Sequence, residues 1–591
     1  MKGIGRPLLI NLVGGGFGWS VRVGRFWASA PRMLFLNNAK TVWLISVSFL
    51  VLFASVWLIL SPGVIYSRAM TWDLLFILEG AWRLYTGQVS HIDFHYPIGV
   101  LSFVLTVLGF FVIGLKPIAF LVGECFLAVV LTALSIVVVK DRLPAFPGVL
   151  FVTMCALLVL APITTGLVFV PVTSADMVTF TFAMSYNRFA WTAVSILCLL
   201  LFIEPRGTRE PVWTDLAAGS ILTIALFYFK ITYFGVALGA ISLALLASRA
   251  VRQHWPWWCG TLLLAVLVAF APMNRAYRAD IIFAMSSQLV HLNPLRLFID
   301  FGFNVGEQIW LFAELLVLLF LFTQRRAFPS DIVFGVFIWI FGFFLYTQNS
   351  QSYSIPLYVV VALILYVRLG NWFRSARHLP SMLVSCVMIC TLLPLLTSWL
   401  SIALALVGYN IKATENSNMV VVTTKNLQGL AVPVDRDDVL DEVAAEPHDR
   451  DYFSRIRAWR VGFELSQQEY IKTILALADL LRDEEAALAR VLVIDQVNPL
   501  PFVIGAPAPR GGNLWSGDIP WQPAEEALSD ADYVAIPHFP TQRATLIGGL
   551  QVYKNYLSTH FVQQYETPYW TVLQRRNGIA RHHAHQVPST D

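Results

Sequence analysis

Twelve apolar runs of 15 to 24 residues fill most of the first 404 positions: 41–61, 97–115, 117–139, 147–170, 189–204, 213–229, 232–248, 257–272, 307–323, 331–347, 354–368 and 382–404. A helix crossing the hydrocarbon core needs roughly 20 apolar residues. A chain with this many such runs cannot bury them around one water-excluded core, so they predict a polytopic α-helical membrane protein. Only 13% of residues are charged, against about 25% in a soluble domain. Several runs are short for a full crossing, as in proteins whose helices tilt or break around a cavity.

Beyond residue 411 the composition changes. That segment holds 16 Lys/Arg and 23 Asp/Glu, a net of −7, whereas the first 410 residues carry 25 and 14, a net of +11. The division predicts a cytoplasmic tail over 1–40, a multi-span domain over 41–408, a small α/β soluble domain over 409–578 and a disordered tail over 579–591. In the soluble part, helical stripes are expected at 451–462, 466–487 and 543–558, and strands at 490–495, 531–537 and 569–575. Asp495 ends the first strand, where it either meets a ligand or caps a loop. The six cysteines all lie in or beside apolar runs, which leaves no disulfide framework or zinc pattern. Nothing in the chain points to nucleic acid.

Lys and Arg favour cytoplasmic loops. The N-terminal tail carries six of them, and five further basic loops include Lys140/Arg142 and Arg206/Arg209. All five face inward only if run 97–115 is a re-entrant or interfacial segment. About eleven crossings then remain, and the C-terminal domain lies outside. Lys116 counts against this arrangement, as one residue against five loops. In it, the outer face gathers Asp73, Asp93 and His95 in loop 62–96, Tyr186, Asn187 and Arg188 at the end of loop 171–188, Lys230 in a tight link, and Arg275 in loop 273–306. Trp72, Leu75, Leu78 and Trp82 recur at helical spacing and predict an interfacial helix, with Gly87 as its C-terminal stop.

Three elements of the first loop carry a resemblance: Trp72-Asp73, then Ala81-Trp82-Arg83-Leu84-Tyr85-Thr86-Gly87, then Asp93-Phe94-His95-Tyr96-Pro97. This plan resembles the GT-C superfamily of integral-membrane glycosyltransferases, which draw on polyprenyl-phosphate-linked sugars. It covers some thirty residues, and the acidic pair found directly adjacent in some branches is absent, since Trp72 precedes Asp73. The resemblance implies a sugar donor linked to polyprenyl phosphate, a glycan, lipid or protein acceptor, a setting in the bacterial inner membrane, and Asp73 as general base. On that reading Asp93 is a second catalytic group, or joins His95 on a divalent metal, the one cofactor left open, or caps the turn before Pro97. Asp73 could instead cap its helix. Arg188 and Lys230 interrupt apolar stretches and suit a phosphate, with Asn187, Tyr186, His95 and Arg275 around them. Glu124 and Glu314, inside predicted spans, either pair with a cation or line a proton path. The competing readings are a transporter or flippase of lipid-linked saccharide and a non-catalytic assembly protein.

Overall fold

A computed structural model describes residues 39–165, 179–206, 212–286, 294–303, 305–348, 355–375, 381–415, 419–434, 440–441, 465–482, 489–517 and 519–576. The two terminal tails and the helix expected at 451–462 lie outside the described residues.

Each apolar run contains a helix. In chain order these are α1 (Ala39–Leu60), α2 (Thr71–Tyr85), α3 (Leu101–Ile113), α4 (Ala119–Val139), α5 (Ala145–Leu160), α6 (Ser185–Phe202), α7 (Val212–Phe229), α8 (Ile231–Ala247), α9 (Arg249–Gln253), α10 (Trp255–Phe270), α11 (Arg275–Met285), α12 (Pro294–Phe303), α13 (Val305–Thr323), α14 (Pro329–Gln348), α15 (Val359–Ser375), α16 (Ser381–Cys390) and α17 (Leu393–Thr414). Only α2, α9, α11 and α12 fall outside the apolar runs.

Six helices among the described residues are long and apolar enough to cross a membrane, or seven if α10 and α11 form one bent span; five further apolar helices are shorter. Length therefore supports fewer crossings than the eleven counted from charge. Prolines shape three of the runs. Run 147–170 does not continue as one helix: α5 stops before Pro162, and the chain turns extended as β2 (Ile163–Thr165), paired with β3 (Thr179–Thr181). The residue before a proline is biased away from helix. Run 257–272 ends at Pro272 and bends by 57° into α11. Run 382–404 breaks into α16 and α17 just before Pro394, which starts α17 at a position where its missing N–H costs nothing. Helix α17 then runs to Thr414, past the boundary expected at 408.

Helix α3 has 13 residues, about 20 Å at 1.5 Å per residue. That is short of the roughly 30 Å hydrocarbon core. It lies along α2 instead: Phe103 meets Phe76, and Phe110 meets Tyr85. Phe110 also stacks on Phe502 of the C-terminal domain at 5.8 Å. Gly109 and Gly123 let α4 approach closely, since a Cβ on Gly109 would stand 1.9 Å from the Ala119 carbonyl oxygen.

The C-terminal domain holds two sheets. The first joins β4 (Met419–Val421) and β5 (Leu430–Pro433) to β1 (Ile65–Tyr66) of the first loop, in the order β1-β5-β4. The second has the order β6-β7-β9-β8: β6 (Val491–Val493) runs parallel to β7 (Tyr533–Pro537), while β9 (Trp570–Arg575) is antiparallel to β7 and to β8 (Phe561–Glu566). The sequence reading missed β8. The helices of the domain include α18 (Gln467–Leu480), α19 (Leu500–Ile504) and α20 (Arg543–His560). Helix α18 opens on a capping box between Ser466 and Glu469 and stops at Leu480 rather than continuing to 487. Asp495 closes a loop: its carboxylate accepts the amides of Gln496 and Thr541 and the Thr541 hydroxyl. Burial raises its pKa to about 6 despite those donors.

Candidate active site

Helix α2 begins at Thr71, after Met70 in a left-handed conformation (φ 53°). Its first amide is capped from the C-terminal domain, with Thr71 N donating to Gln467 Oε1 at 2.8 Å. Asp73 is therefore the third residue of the helix and not its cap, and its side chain is buried. The far end closes as expected. Gly87 takes φ +89°, and the amides of Gly87 and Gln88 return to the carbonyls of Leu84 and Arg83. Rather than lying on an open membrane surface, α2 is buried on nearly every side, between α3 and the C-terminal domain.

Asp73 lines a pocket with Phe76, Ile77, Pro97, Ile98, Met184, Tyr186 and Trp515. Four parts of the chain meet there: α2, the segment before α3, the start of α6, and the C-terminal domain. Tyr186, Asn187 and Arg188 form the first turn of α6 rather than a loop, entered through Met184 at φ 50°. Lys230, at the break between α7 and α8, places its Nζ 5.6 Å from the centroid of the Tyr186 ring and donates to Asn187 Oδ1 at 3.2 Å. A carboxylate and an ammonium thus flank one tyrosine. Arg188, two residues on, is buried and paired with Glu124 at 3.2 Å, so Glu124 is the partner of a bundle cation.

The remaining candidates lie elsewhere. Asp93 does not join His95: its Oδ2 accepts the Val89 amide at 2.7 Å, and its Oδ1 lies 3.6 Å from Arg510. That is the turn-closing alternative. His95 reaches Asp280 Oδ1 through Nδ1 at 2.8 Å and Glu526 Oε1 through Nε2 at 3.2 Å. His91 takes the other oxygen of Asp280 at 2.8 Å. Among the described residues no group of three or more His, Cys, Asp or Glu is placed to hold a metal ion. Arg275 is exposed at the start of α11 and does not line the Asp73 pocket.

The His91–Asp280–His95 clasp fixes loop 88–97 to α11, and through Glu526 to the C-terminal domain. Burial lowers the pKa of His91 and outweighs its bond to Asp280. For His95 burial also lowers it, but the hydrogen bond to Asp280 and the charges of Asp280 and Glu526 win, and the pKa is raised. A raised histidine adds stability that is full below its unfolded value of about 6.5 and is lost as pH rises through the folded value. His91, being lowered, works in the opposite sense and weakens the clasp as pH falls below about 6.5. Thermal melting of the purified protein should therefore show a loss of stability as pH rises above about 6.5 that His95→Asn removes. An identical pH profile in the variant would discard His95 as the source.

Two residues of this region were not singled out in the sequence. Trp515 packs on Phe76 at 5.5 Å and lines the pocket. Tyr470 meets Trp72 edge-on at 6.1 Å and feels the charge of Asp73.

The chain is similar to ArnT and AglB. The crystal structure of ArnT from Cupriavidus metallidurans in the apo state matches with a TM-score of 0.43 and 11% identity, over 91% of this chain and 98% of that one. ArnT from the same organism bound to undecaprenyl phosphate matches with a TM-score of 0.40 and 12% identity, over the same shares. The archaeal oligosaccharyltransferase AglB from Archaeoglobus fulgidus, in complex with an inhibitory peptide and a dolichol-phosphate, gives a TM-score of 0.34 and 10% identity, over 84% of this chain and 70% of that one. No family model matches the chain, and no curated protein does.

Proposed function

We propose that the chain is a GT-C-like glycosyltransferase that moves a sugar from a polyprenyl-phosphate-linked donor to a hydroxyl of an envelope glycan, lipid or protein. One observation carries the reading: Asp73, buried at the start of α2, shares a pocket with Tyr186, whose ring lies beside the Lys230 ammonium. Transfer from a phosphate ester requires a base for the acceptor hydroxyl and a cation for the leaving phosphate, and Tyr186 connects a candidate for each. Asp73 takes the proton of the acceptor hydroxyl as its oxygen bonds to the anomeric carbon. The bond from that carbon to the phosphate oxygen breaks, and its electron pair leaves with the polyprenyl phosphate. Lys230 meets the charge that develops there. Arg188 is a weaker candidate for this role, because Glu124 already balances it. Asp93 and His95 act on the shape of the loop rather than on substrate.

The pocket then faces the outer side of a bacterial inner membrane, with the N-terminus in the cytoplasm and the C-terminal domain outside, as the basic loops indicate. The test uses full-length protein in proteoliposomes with a polyprenyl-phosphate sugar labelled in the sugar. Release of polyprenyl phosphate and a new glycosidic product are expected. Lys230→Met should raise the KM for donor roughly ten- to hundredfold, since a hydrogen bond to a charged group is worth about 1.5–3 kcal/mol. Passage of intact donor across the bilayer with no glycosidic product would replace this reading with a flippase.

A further inference from the structure

A second pocket lies in the membrane domain where α13, α15 and α17 meet, remote in sequence from the Asp73 pocket and independent of the proposed transfer. Its polar centre is Glu314. At 1.5 Å per residue this side chain sits about 13 Å from either end of α13. It is 6% exposed, and among the described residues its Oε1 has no hydrogen-bond partner. The contrast with Glu124 is direct. That glutamate has Arg188, whereas among the described residues no cation pairs with Glu314.

A carboxylate held in an apolar interior needs a proton or a cation beside it. The walls decide which kind of cation suits the site. Trp310 and Tyr358 supply aromatic surface, Ile355 and Pro394 supply apolar surface, and Thr397 adds a hydroxyl. Hard metal ions want six or more oxygen ligands, and one carboxylate does not provide them. An organic cation gains from aromatic faces and from apolar walls around its carbon body. The mouth is formed by Trp310, 49% exposed, and by the exposed Thr397, so the pocket opens on the flank of the bundle.

We propose that this pocket binds a primary ammonium group carried on an apolar body, with Glu314 as its counter-charge and Trp310 and Tyr358 as its aromatic walls. The ammonium comes either from a phospholipid headgroup entering through the flank or from a soluble amine entering from water.

Equilibrium binding of radiolabelled octylammonium to the full-length protein in phosphatidylglycerol nanodiscs tests this. One saturable site is expected, displaced by unlabelled octylammonium and not by octanol. Glu314→Gln should weaken it about tenfold or more, and Glu314→Asp, which keeps the charge, by less. If the Gln variant does not fold, Trp310→Leu carries the test, with binding expected to weaken about threefold or more. Displacement by phosphatidylethanolamine doped into the disc assigns the site to a lipid headgroup, and displacement by ethanolamine in the buffer assigns it to a soluble amine. Absence of saturable binding, equal displacement by octanol, or unchanged affinity in the folded Gln variant overturns the proposal.

Discussion

Asp73→Asn should lower turnover by about 10²- to 10⁴-fold, the usual contribution of a positioned general base, while leaving the protein folded. Asparagine has nearly the same size and shape but cannot take a proton. The pocket walls from Phe76, Tyr186 and Trp515 do not depend on the carboxylate's charge. The Thr71 amide at the α2 N-terminus would also keep its acceptor, Gln467 Oε1. The measurement is kcat with saturating donor, alongside a melting curve. Near-normal turnover would remove Asp73 as the base. Lost turnover together with a lowered melting temperature would point back to a structural role.

The largest effect on stability is expected at Arg83. Its Nε lies 2.9 Å from Glu79 Oε1 one helical turn earlier, and its Nη1 donates to the Pro509 carbonyl at 2.7 Å. Glu79 Oε2 in turn accepts the Phe502 amide at 2.9 Å, and Trp82 donates to the Ala506 carbonyl at 2.9 Å. Both charged side chains are 1% exposed. Burial raises the Glu79 carboxyl to about 7 even with Arg83 beside it. Arg83→Met would strand that carboxylate between α2 and the segment 502–509, at a cost of about 3–5 kcal/mol. The double change Glu79→Leu, Arg83→Met should recover most of the loss, because a buried pair exchanged for apolar side chains is often close to neutral. Melting curves of the three proteins decide it. A single Arg83→Met variant as stable as the parent would show that the pair does not hold the domain in place.

Much of this site could be read from local pattern. The α2 stripe, its stop at Gly87 and the polar breaks at Tyr186-Asn187-Arg188 and Lys230 all stand out against an apolar background; of these, Tyr186 lines the Asp73 pocket and Lys230 reaches Tyr186 and Asn187. What could not be read depends on contacts between distant segments. Asp93 and His95 look like a pair in sequence, yet their partners are Arg510 in one case and Asp280 with Glu526 in the other. Trp515 carries no local signal beyond being an aromatic residue in a loop. Helix ends within the apolar runs were hidden for a different reason. Hydropathy averages across Pro162, Pro272 and Pro394, while the backbone stops or bends at each of them.

The pairing of Ile65 and Tyr66 with Leu430 and Ala431 has a consequence for the order of events during synthesis. The segment that carries Asp73 leaves the ribosome early, but the residues that hold it arrive late: the strand at Leu430, the cap at Gln467, the anchor at Phe502 and the pocket wall at Trp515. A chain still being made can therefore place all its apolar helices in the bilayer and yet have no completed pocket. The final third of the polypeptide works as a built-in latch, and premature termination there leaves the Asp73 pocket without its Trp515 wall and α2 without its Gln467 cap.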